Sequence, residues 1–499
     1  MNYRILAVLL LAALVLRLLT LMMIHTGVDE RDYWSAGAAL VTESTYPELQ
    51  HRTVRWSLIL PVAATQLLLG THPNVYYVAP LLVGLAQVAI VFLLGVRTIG
   101  TAGGFLAALG VMFFPYMIRG ASQIRPGTFS LLYILIALAL FVRYLELPAG
   151  RKACQVLALS ALVVFLAYMS KITNVYFVPG FLLAIILLRR SPRDAVVFAG
   201  VLLGLFLLET GAYAVALSEP LGRLGIIMGN HLGSGYIEPM SFWGIFRRYS
   251  PQNLPPYWMA PMLLYPVAAI YLHRRRRSAA LDTMSLLVAS FLFGMTFAVT
   301  GLNPVVPVEA FLQRYFLAIL GMLVLIDAAF VVDLWDRYVA PRLPLPGIVW
   351  PFYVVPLAGV LVLGVVFASG VLPDSLSGFY NDPLAPRRHP LWLNVEYRKT
   401  IDAAFRSGTP LVARPGVAGD NALRTATFYY LSRDLYVPGP PPKPRTGTSE
   451  EAEYRYLFAE PQQAAAPVYF LERNPFRVRS MRFDAALEAM QKPEEVEVQ

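Results

Sequence analysis

Repeated apolar runs of membrane-spanning length constrain this chain more than any other feature of its sequence. The first run extends from Ile5 to Ile24, and Arg17 is its single charged residue. A helix needs about 20 apolar residues to cross a bilayer. Hydrophobic residues make up 57% of the 499 residues and charged residues 14%, whereas a typical soluble domain is about 25% charged. The composition therefore excludes a soluble enzyme, a disordered protein and a fibrous repeat, and it predicts a polytopic α-helical membrane protein.

Hydropathy predicts about eleven transmembrane helices. Beyond the first run, the candidate spans are Tyr76–Val96, Gly103–Ile118, Phe129–Leu145, Val156–Met169, Val175–Leu188, Ala195–Leu217, Tyr257–Leu272, Met284–Thr300, Phe316–Val332 and Ile348–Ala368. The shorter run Ser57–Leu69 predicts a short helix at the membrane interface. Because no small-residue cleavage site follows Ile24, we expect the first run to be a retained helix rather than a signal peptide.

The basic residues predict which ends of these helices face the cytoplasm. Alternate loops are rich in arginine, and the run Arg274–Arg277 is the strongest such marker. Cytoplasmic loops carry an excess of Lys and Arg, so these loops are assigned to the cytoplasm. The loop from Gly27 to about Trp56 then faces the outside, together with the tail that begins at Pro373.

The last part of the chain predicts a small α/β domain. We place the boundary so that residues 1–372 form the membrane domain and residues 373–499 the extracytoplasmic domain. Pro410–Ala413 and Val468–Leu471 have the apolar composition of strands. The segment Pro438–Ser449 is rich in proline and glycine, which predicts a flexible loop.

The net charge of +10 resides entirely in residues 1–373. Such a basic membrane half is typical of proteins that meet anionic lipid heads or phosphate-bearing substrates, and it does not indicate nucleic acid. Many cations fall in the predicted outer loops, where the distribution rule disfavours them: Arg31, Arg52, Arg55, Arg119, Arg125, Lys171, Arg223, Arg247, Arg248 and Arg314. An anionic ligand at the outer face would account for this excess, and anchoring to lipid heads is the alternative.

The first outer loop carries the residues most suited to chemistry. Asp29, Glu30 and Asp32 lie within four residues, soon after the first apolar run. A carboxylate held there could act as a general base toward an acceptor hydroxyl or amine, and a merely solvated loop is the alternative. With one cysteine and six scattered histidines, the chain predicts neither an internal disulfide nor a metal cluster.

At these acids the sequence resembles integral-membrane glycosyltransferases of the GT-C type, which carry D-E-x-x-Y-x-x-x-A in the first outer loop. Within that superfamily it is most similar to protein O-mannosyltransferases and lipid A aminoarabinose transferases. The further motifs are Met112–Pro115 (MFFP), Leu166–Lys171 (LAYMSK) and Gln313–Phe316 (QRYF). The tyrosine of the first motif, Tyr33, stands one position closer to the acids than is common. Relatives also carry an acidic residue where this chain has Arg125.

The resemblance implies an inverting transfer of a sugar from a polyprenyl-phosphate donor to a lipid, glycan or protein acceptor. It implies a bacterial cytoplasmic membrane protein with its active site at the outer face. On this reading Asp29 is the general base and Glu30 orients the loop or a basic neighbour. The cations expected at the donor phosphate are Lys171 and Arg314 first, then Arg52, Arg55 and Arg125. His25 and Tyr33 are candidate substrate contacts. No cofactor is required, and Mg²⁺ or Mn²⁺ is compatible with such a reaction without support from the sequence.

Two other functions stay open from the sequence. A flippase or transporter of lipid-linked glycans would place charges near the bilayer midplane. An O-antigen polymerase or ligase would also use outer-loop arginines. The buried carboxylate of Glu209 predicts either a functional site or an ion pair with an arginine of a neighbouring helix, such as Arg17.

Overall fold

The structure of the chain is a computed structural model, and most of the residues it describes are helical. The described residues are 3–20, 28–42, 51–71, 73–189, 191–233, 240–247, 249, 254, 256–275, 278–302, 305–307, 313–340, 358–359, 403–404, 407–414, 423, 446–449, 454–457, 460–461, 463–473 and 476–491. The predicted final span, Ile348–Ala368, lies almost entirely outside them.

Sixteen helices and seven strands organise the described part of the chain. The helices are α1 (Tyr3–Leu19), α2 (Val28–Thr42), α3 (Trp56–Leu69), α4 (Val78–Thr98), α5 (Thr101–Phe113), α6 (Pro115–Gly120), α7 (Pro126–Glu146), α8 (Arg151–Ser170), α9 (Val178–Ala184), α10 (Pro192–Leu217), α11 (Gly222–Gly233), α12 (Phe242–Arg247), α13 (Pro256–Arg274), α14 (Ala279–Phe297), α15 (Leu317–Leu334) and α16 (Phe483–Gln491). The strands are β1 (Val299–Leu302), β2 (Val305–Pro307), β3 (Leu411–Ala413), β4 (Thr446–Thr448), β5 (Arg455–Leu457), β6 (Pro467–Arg473) and β7 (Phe476–Arg482).

Seven helices within the described residues are long and apolar enough to cross a membrane. They are Val75–Thr98, Pro126–Glu146, Arg151–Ser170, Ile172–Arg189, Pro192–Leu217, Ala279–Phe297 and Arg314–Val339. Each of them lies on a span that hydropathy predicts. The prediction of a polytopic α-helical membrane protein is therefore confirmed.

Several predicted boundaries are wrong, and proline explains one of them. The span predicted over Gly103–Ile118 is broken, because α5 ends at Phe113 and α6 begins at Pro115. Phe114 between them is extended, as the residue before a proline tends to be. The first helix ends at Leu19 rather than at Ile24.

The helical bundle is held together by close crossings and a continuous apolar core. A Cβ atom on Gly95 would lie 2.4 Å from the Cα of Gly104, so α4 and α5 approach each other through glycine backbones. The central helix α7 packs against α4, α8 and α15. Leu135, Leu138 and Phe141 of α7 are fully buried in that core. This arrangement fixes the first turn of α7 among the ends of its neighbours.

The C-terminal residues form a five-stranded sheet with the order β4-β5-β3-β6-β7. Strands β3 and β6 run parallel, and the other neighbouring strands are antiparallel. The strands predicted at Pro410–Ala413 and Val468–Leu471 are confirmed as parts of β3 and β6. The loop predicted over Pro438–Ser449 is wrong at its end, because residues 446–448 pair with β5 as an edge strand.

The two faces of this sheet contact different partners. Val412, Val468 and Phe470 point to the face that packs against Phe483 and Ala486 of α16. Neighbouring residues point to the opposite face, as the two-residue repeat of a strand requires. There Leu411, Ala413, Leu457 and Leu471 share one hydrophobic cluster with residues of α2 and α3, namely Tyr33, Trp34, Ala36, Leu58, Ile59 and Val62. The C-terminal sheet therefore lies at the end of the membrane domain that carries α2.

Candidate active site

The Glu30 carboxylate is the best-defined acid in the predicted site. Glu30 lies in the first turn of α2 and is 2% exposed. Its Oε2 accepts a hydrogen bond of 3.0 Å from the Tyr76 hydroxyl, and its Oε1 accepts one of 2.9 Å from Nε of Arg125. The Tyr76 hydroxyl also accepts a bond of 3.1 Å from the amide of Ile124. Glu30 thus connects α2 to the start of α4 and to the turn before α7.

The other residues of the acidic motif occupy different positions around α2. Asp29 belongs to the first turn of the helix, and the helical advance of about 100° per residue directs its side chain away from the direction of Glu30. Oδ2 of Asp32 accepts a hydrogen bond of 3.0 Å from Nη1 of Arg52. Tyr33 is 1% exposed and packs in the cluster shared with the C-terminal sheet. His25 lies outside the described residues.

Arg125 reaches Glu30 because of the local sequence around it. Pro126 occupies the first position of α7, where its missing N–H costs nothing. Arg125 precedes this proline and is extended, with φ −124° and ψ 137°. Where the relatives carry an acid, this chain therefore presents a cation, and Glu30 neutralises it.

Arg55 connects the site to the end of α8. Its Nη1 donates a hydrogen bond of 3.1 Å to the carbonyl of Ser170, and its Nε donates one of 3.3 Å to the carbonyl of His51. The Ser170 hydroxyl in turn donates a bond of 3.0 Å to the carbonyl of Pro126. Arg55, the last residue of α8 and the first turn of α7 therefore form one connected group.

Lys171 and Arg314 lie on either side of one aromatic ring. Lys171 follows α8 in an extended conformation and is 7% exposed. Its Nζ lies 3.5 Å from the centroid of the Tyr315 ring, and the guanidinium carbon of Arg314 lies 5.9 Å from the same centroid. A Cβ atom on Gly127, in the first turn of α7, would lie 3.2 Å from the Arg314 carbonyl. Tyr315 thus holds two cations close to the start of α7.

The structure therefore brings the predicted site residues to one end of the bundle. Glu30, Arg52, Arg55, Arg125, Lys171 and Arg314 are linked by the contacts above, although they come from distant parts of the chain. The sequence reading missed Tyr76 and Ser170, which hold Glu30 and Arg55. Tyr76 stands at the start of a predicted span, where a tyrosine is ordinarily read as an interface anchor. Their roles become visible only from the contacts.

Glu209 forms an ion pair, but with a different arginine from the one suggested by the sequence. Nε of Arg223 lies 2.8 Å from Oε1 of Glu209, and the Arg223 side chain is 1% exposed. Nη1 of Arg223 also donates bonds of 3.2 Å to the carbonyls of Tyr168 and Met169. The suggestion of Arg17 as the partner is therefore wrong. Arg223 lies 14 residues from Glu209 on α11, which packs back against α10.

An apolar cavity of about 550 Å³ adjoins the cations. Its walls come from α8, the turn Ile172–Phe177, α10 and α11. Ile172 and Thr173, which line it, directly follow Lys171 in the chain. Tyr168 lines it as well, and the Arg223 guanidinium lies 4.3 Å from the centroid of that ring. A long apolar group could occupy this cavity while its polar end reaches Lys171.

A metal centre has no obvious set of ligands in this part of the molecule. Within the ranges that the structure describes, no group of three or more His, Cys, Asp or Glu side chains could hold a metal ion. The acids that are described at the site, Glu30 and Asp32, each bind an arginine.

Comparison with known sequences identifies a relationship over part of the chain. Residues 59–213 match the family described as dolichyl-phosphate-mannose-protein mannosyltransferase. The matched segment runs from within α3 through most of α10. It contains Tyr76, Arg125 and Lys171, and it ends before Arg314. None of the curated proteins compared with the chain matches it significantly.

Solved structures of similar architecture come from a bacterium and an archaeon. The apo ArnT from Cupriavidus metallidurans is 16% identical, with a TM-score of 0.49, and the match covers 87% of this chain and 75% of that one. ArnT bound to undecaprenyl phosphate is 15% identical, with the same TM-score, over 87% and 76% of the two chains.

The oligosaccharyltransferase AglB from Archaeoglobus fulgidus, in complex with an inhibitory peptide and a dolichol-phosphate, is 10% identical, with a TM-score of 0.42, over 97% and 77%. At this degree of likeness, the ligands of those proteins are not transferred to this chain. The sequence match over residues 59–213 nevertheless confirms the resemblance to GT-C-type membrane glycosyltransferases that the motifs predict.

Proposed function

We propose that this chain is an inverting glycosyltransferase that takes its sugar from a polyprenyl-phosphate donor. The acceptor is a lipid, a glycan or a protein, and the reaction takes place at the outer face of a bacterial cytoplasmic membrane. The C-terminal sheet lies at that same end of the membrane domain.

The observation that carries the proposal is the meeting of acids, cations and an apolar cavity at one end of the bundle. Lys171 stands where the cavity begins, and Tyr315 holds Arg314 beside it. An amphiphile with an apolar chain and a phosphate head matches this distribution, because the chain would fill the cavity and the phosphate would meet the cations. The acidic turn of α2 approaches the same place through the pair between Glu30 and Arg125.

The family match supports the class of donor. Its description names dolichyl phosphate mannose, which is a sugar joined through phosphate to a polyprenyl chain. We extend the polyprenyl-phosphate part of that description to this chain and leave the sugar undefined. The match covers residues 59–213, which include the wall of the cavity formed by α8 and α10.

The proposed reaction is a single displacement. Asp29 accepts the proton of the acceptor hydroxyl or amine while the acceptor atom bonds to the anomeric carbon. The bond from that carbon to the phosphate oxygen breaks, and polyprenyl phosphate leaves with the electron pair. Lys171 and Arg314 stabilise the charge that develops on the phosphate in a site of low dielectric constant. Both oxygens of Glu30 already accept hydrogen bonds, so we assign it to positioning α2 rather than to proton transfer.

The test is a reaction with defined donors. The purified full-length protein, reconstituted in lipid nanodiscs, is incubated with a panel of polyprenyl-phosphate sugars and with membrane extracts as the source of acceptor. Mass spectrometry then measures the donor consumed and the product formed. We expect one sugar of the panel to be transferred with release of polyprenyl phosphate. If no donor is consumed while the protein moves a lipid-linked glycan across vesicle bilayers, a transporter is the correct assignment.

A further inference from the structure

The guanidinium of Arg17 is an unexplained charge inside the helical bundle. Arg17 lies close to the end of α1, and its side chain is 0% exposed. Nε, Nη1 and Nη2 have no hydrogen-bond partner in the described part of the protein. A buried charge without a partner strongly destabilises a folded protein, and such groups are normally found paired with an anion. Neither the proposed donor site nor the packing of α1 uses this cation.

Two buried glutamines accompany Arg17. A Cβ atom on Gly84 of α4 would lie 2.9 Å from Arg17 Nε and 3.4 Å from Cβ of Ala121, so α1, α4 and the connection after α6 meet here. Gln87 is one turn beyond Gly84, and Gln123 is two residues beyond Ala121; both are 0% exposed. Within the described residues, Oε1 of Gln87 and both terminal atoms of Gln123 also lack hydrogen-bond partners.

This polar group lies directly beside the candidate active site. Nε2 of Gln87 donates a hydrogen bond of 2.5 Å to the carbonyl of Thr128, in the first turn of α7. Ser170 contacts the same turn from α8. Helix α4 and helix α8 therefore flank the start of α7, with Arg17 on the α4 flank and Lys171 on the α8 flank.

We propose that Arg17, Gln87 and Gln123 form a second anion site, which binds a phosphate or carboxylate group carried by one of the two substrates. The inference rests on the proposed function for the identity of those substrates. The planar guanidinium can donate to two oxygens of such a group. The amide of Gln123 can donate to a third, while Oε1 of Gln87 accepts from a neighbouring hydroxyl. An acceptor that binds here is an anionic molecule, whereas a donor that binds here has its phosphate held from the α4 flank.

Binding of anionic probes to the full-length protein in detergent tests this site without requiring sugar transfer. The melting temperature is measured against rising concentrations of polyprenyl phosphate, inorganic phosphate and acetate, each compared with sodium chloride of equal ionic strength. We expect saturable stabilisation of the wild-type protein by at least one probe. Arg17→Gln should weaken that binding by about tenfold or more, and Arg17→Lys should weaken it less.

Glycine variants provide a matched pair that keeps the charge. Gly84→Ala places a methyl group against the Arg17 guanidinium and should weaken probe binding as well. Gly200→Ala on α10 meets nothing within 4 Å and should bind the probes as the wild type does. A merely structural Arg17 would change the melting temperature equally with and without the probe, whereas an anion site changes the stabilisation that the probe produces.

The probes also distinguish the two substrates. A loss confined to polyprenyl phosphate assigns the site to the donor, and a loss confined to inorganic phosphate or acetate assigns it to an anionic acceptor. Either loss supports the site. The proposal is overturned if Arg17→Gln binds every probe as tightly as the wild type, or if no probe stabilises the wild type saturably. Because these readouts involve no transfer, they stand even if the protein fails to transfer any sugar.

Discussion

Nε of Arg125 lies 2.9 Å from Oε1 of Glu30, and this pair joins the first turn of α2 to the turn that begins α7. The side chain of Glu30 is 3% exposed and that of Arg125 is 18% exposed. The second oxygen of Glu30 accepts a bond from Tyr76, so the carboxylate is held on both sides. A carboxylate held in this way is a hydrogen-bond acceptor with a fixed position. The neighbouring Asp29 is therefore left as the acid for the reaction in our proposal.

The first prediction concerns the positioning role of Glu30. Glu30→Gln removes the negative charge that pairs with Arg125 and should lower the melting temperature, because a nearly buried cation loses its counter-charge. Turnover should fall less than in an Asp29 variant. In the double variant Glu30→Gln with Arg125→Gln, the two losses of stability should be less than additive, since the residues are in contact. Strictly additive losses would show that the pair is not coupled.

The second prediction concerns the cations at the phosphate. Lys171→Ala and Arg314→Ala should each reduce transition-state stabilisation by about 2–4 kcal/mol, the usual effect of removing one group that meets developing charge. Arg314→Lys should restore only part of the activity, because a two-pronged donor becomes a point charge. Steady-state kinetics with the preferred donor gives the measurement. Arg143→Ala, at the other end of α7, serves as the control and should leave kcat/KM unchanged. Full activity in both alanine variants would contradict the assignment.

The third prediction assigns Glu209 and Arg223 to stability. Arg223→Ala should lower the free energy of unfolding by about 3–5 kcal/mol, because it leaves the Glu209 carboxylate buried without its cation. Replacing Arg97, which pairs with Glu146 at the exposed end of α4, should cost about 1 kcal/mol or less. Thermal unfolding in detergent compares the two. Equal losses in both variants would show that burial does not distinguish the pairs.

The fourth prediction concerns orientation in the membrane. In a Cys154→Ser background, a cysteine at Gly447 of β4 should react with an impermeant maleimide in intact spheroplasts. A cysteine at Ser278, beside the arginine run before α14, should react only after the membrane is permeabilised. The expectation follows from the preference of arginine-rich loops for the cytoplasm. Labelling of Ser278 alone would place the candidate site in the cytoplasm.

The sequence predicted the class of fold because long apolar runs leave a helical membrane protein as the main solution. It also named most of the site residues, since outer-loop cations and acids are conspicuous in an apolar chain. It could not predict that Arg125 pairs with Glu30, because this contact depends on how α2 packs against the start of α7. Partners such as Tyr76 and Ser170 have no distinctive local pattern, and Arg17 was assigned to the wrong carboxylate for the same reason. The break at Phe114 was foreseeable from Pro115 alone.

The most direct test of the central claim is the turnover of Asp29→Asn measured beside that of Glu30→Gln and Asp32→Asn. The substitution is nearly isosteric, so melting temperature and donor binding should match those of the wild type. A general base contributes about 10²–10⁴-fold, and kcat of Asp29→Asn should fall by that factor while Asp32→Asn remains nearly unaffected. Wild-type transfer by both Asp29→Asn and Glu30→Gln would contradict the account, because no acid of the α2 motif would then serve as the base.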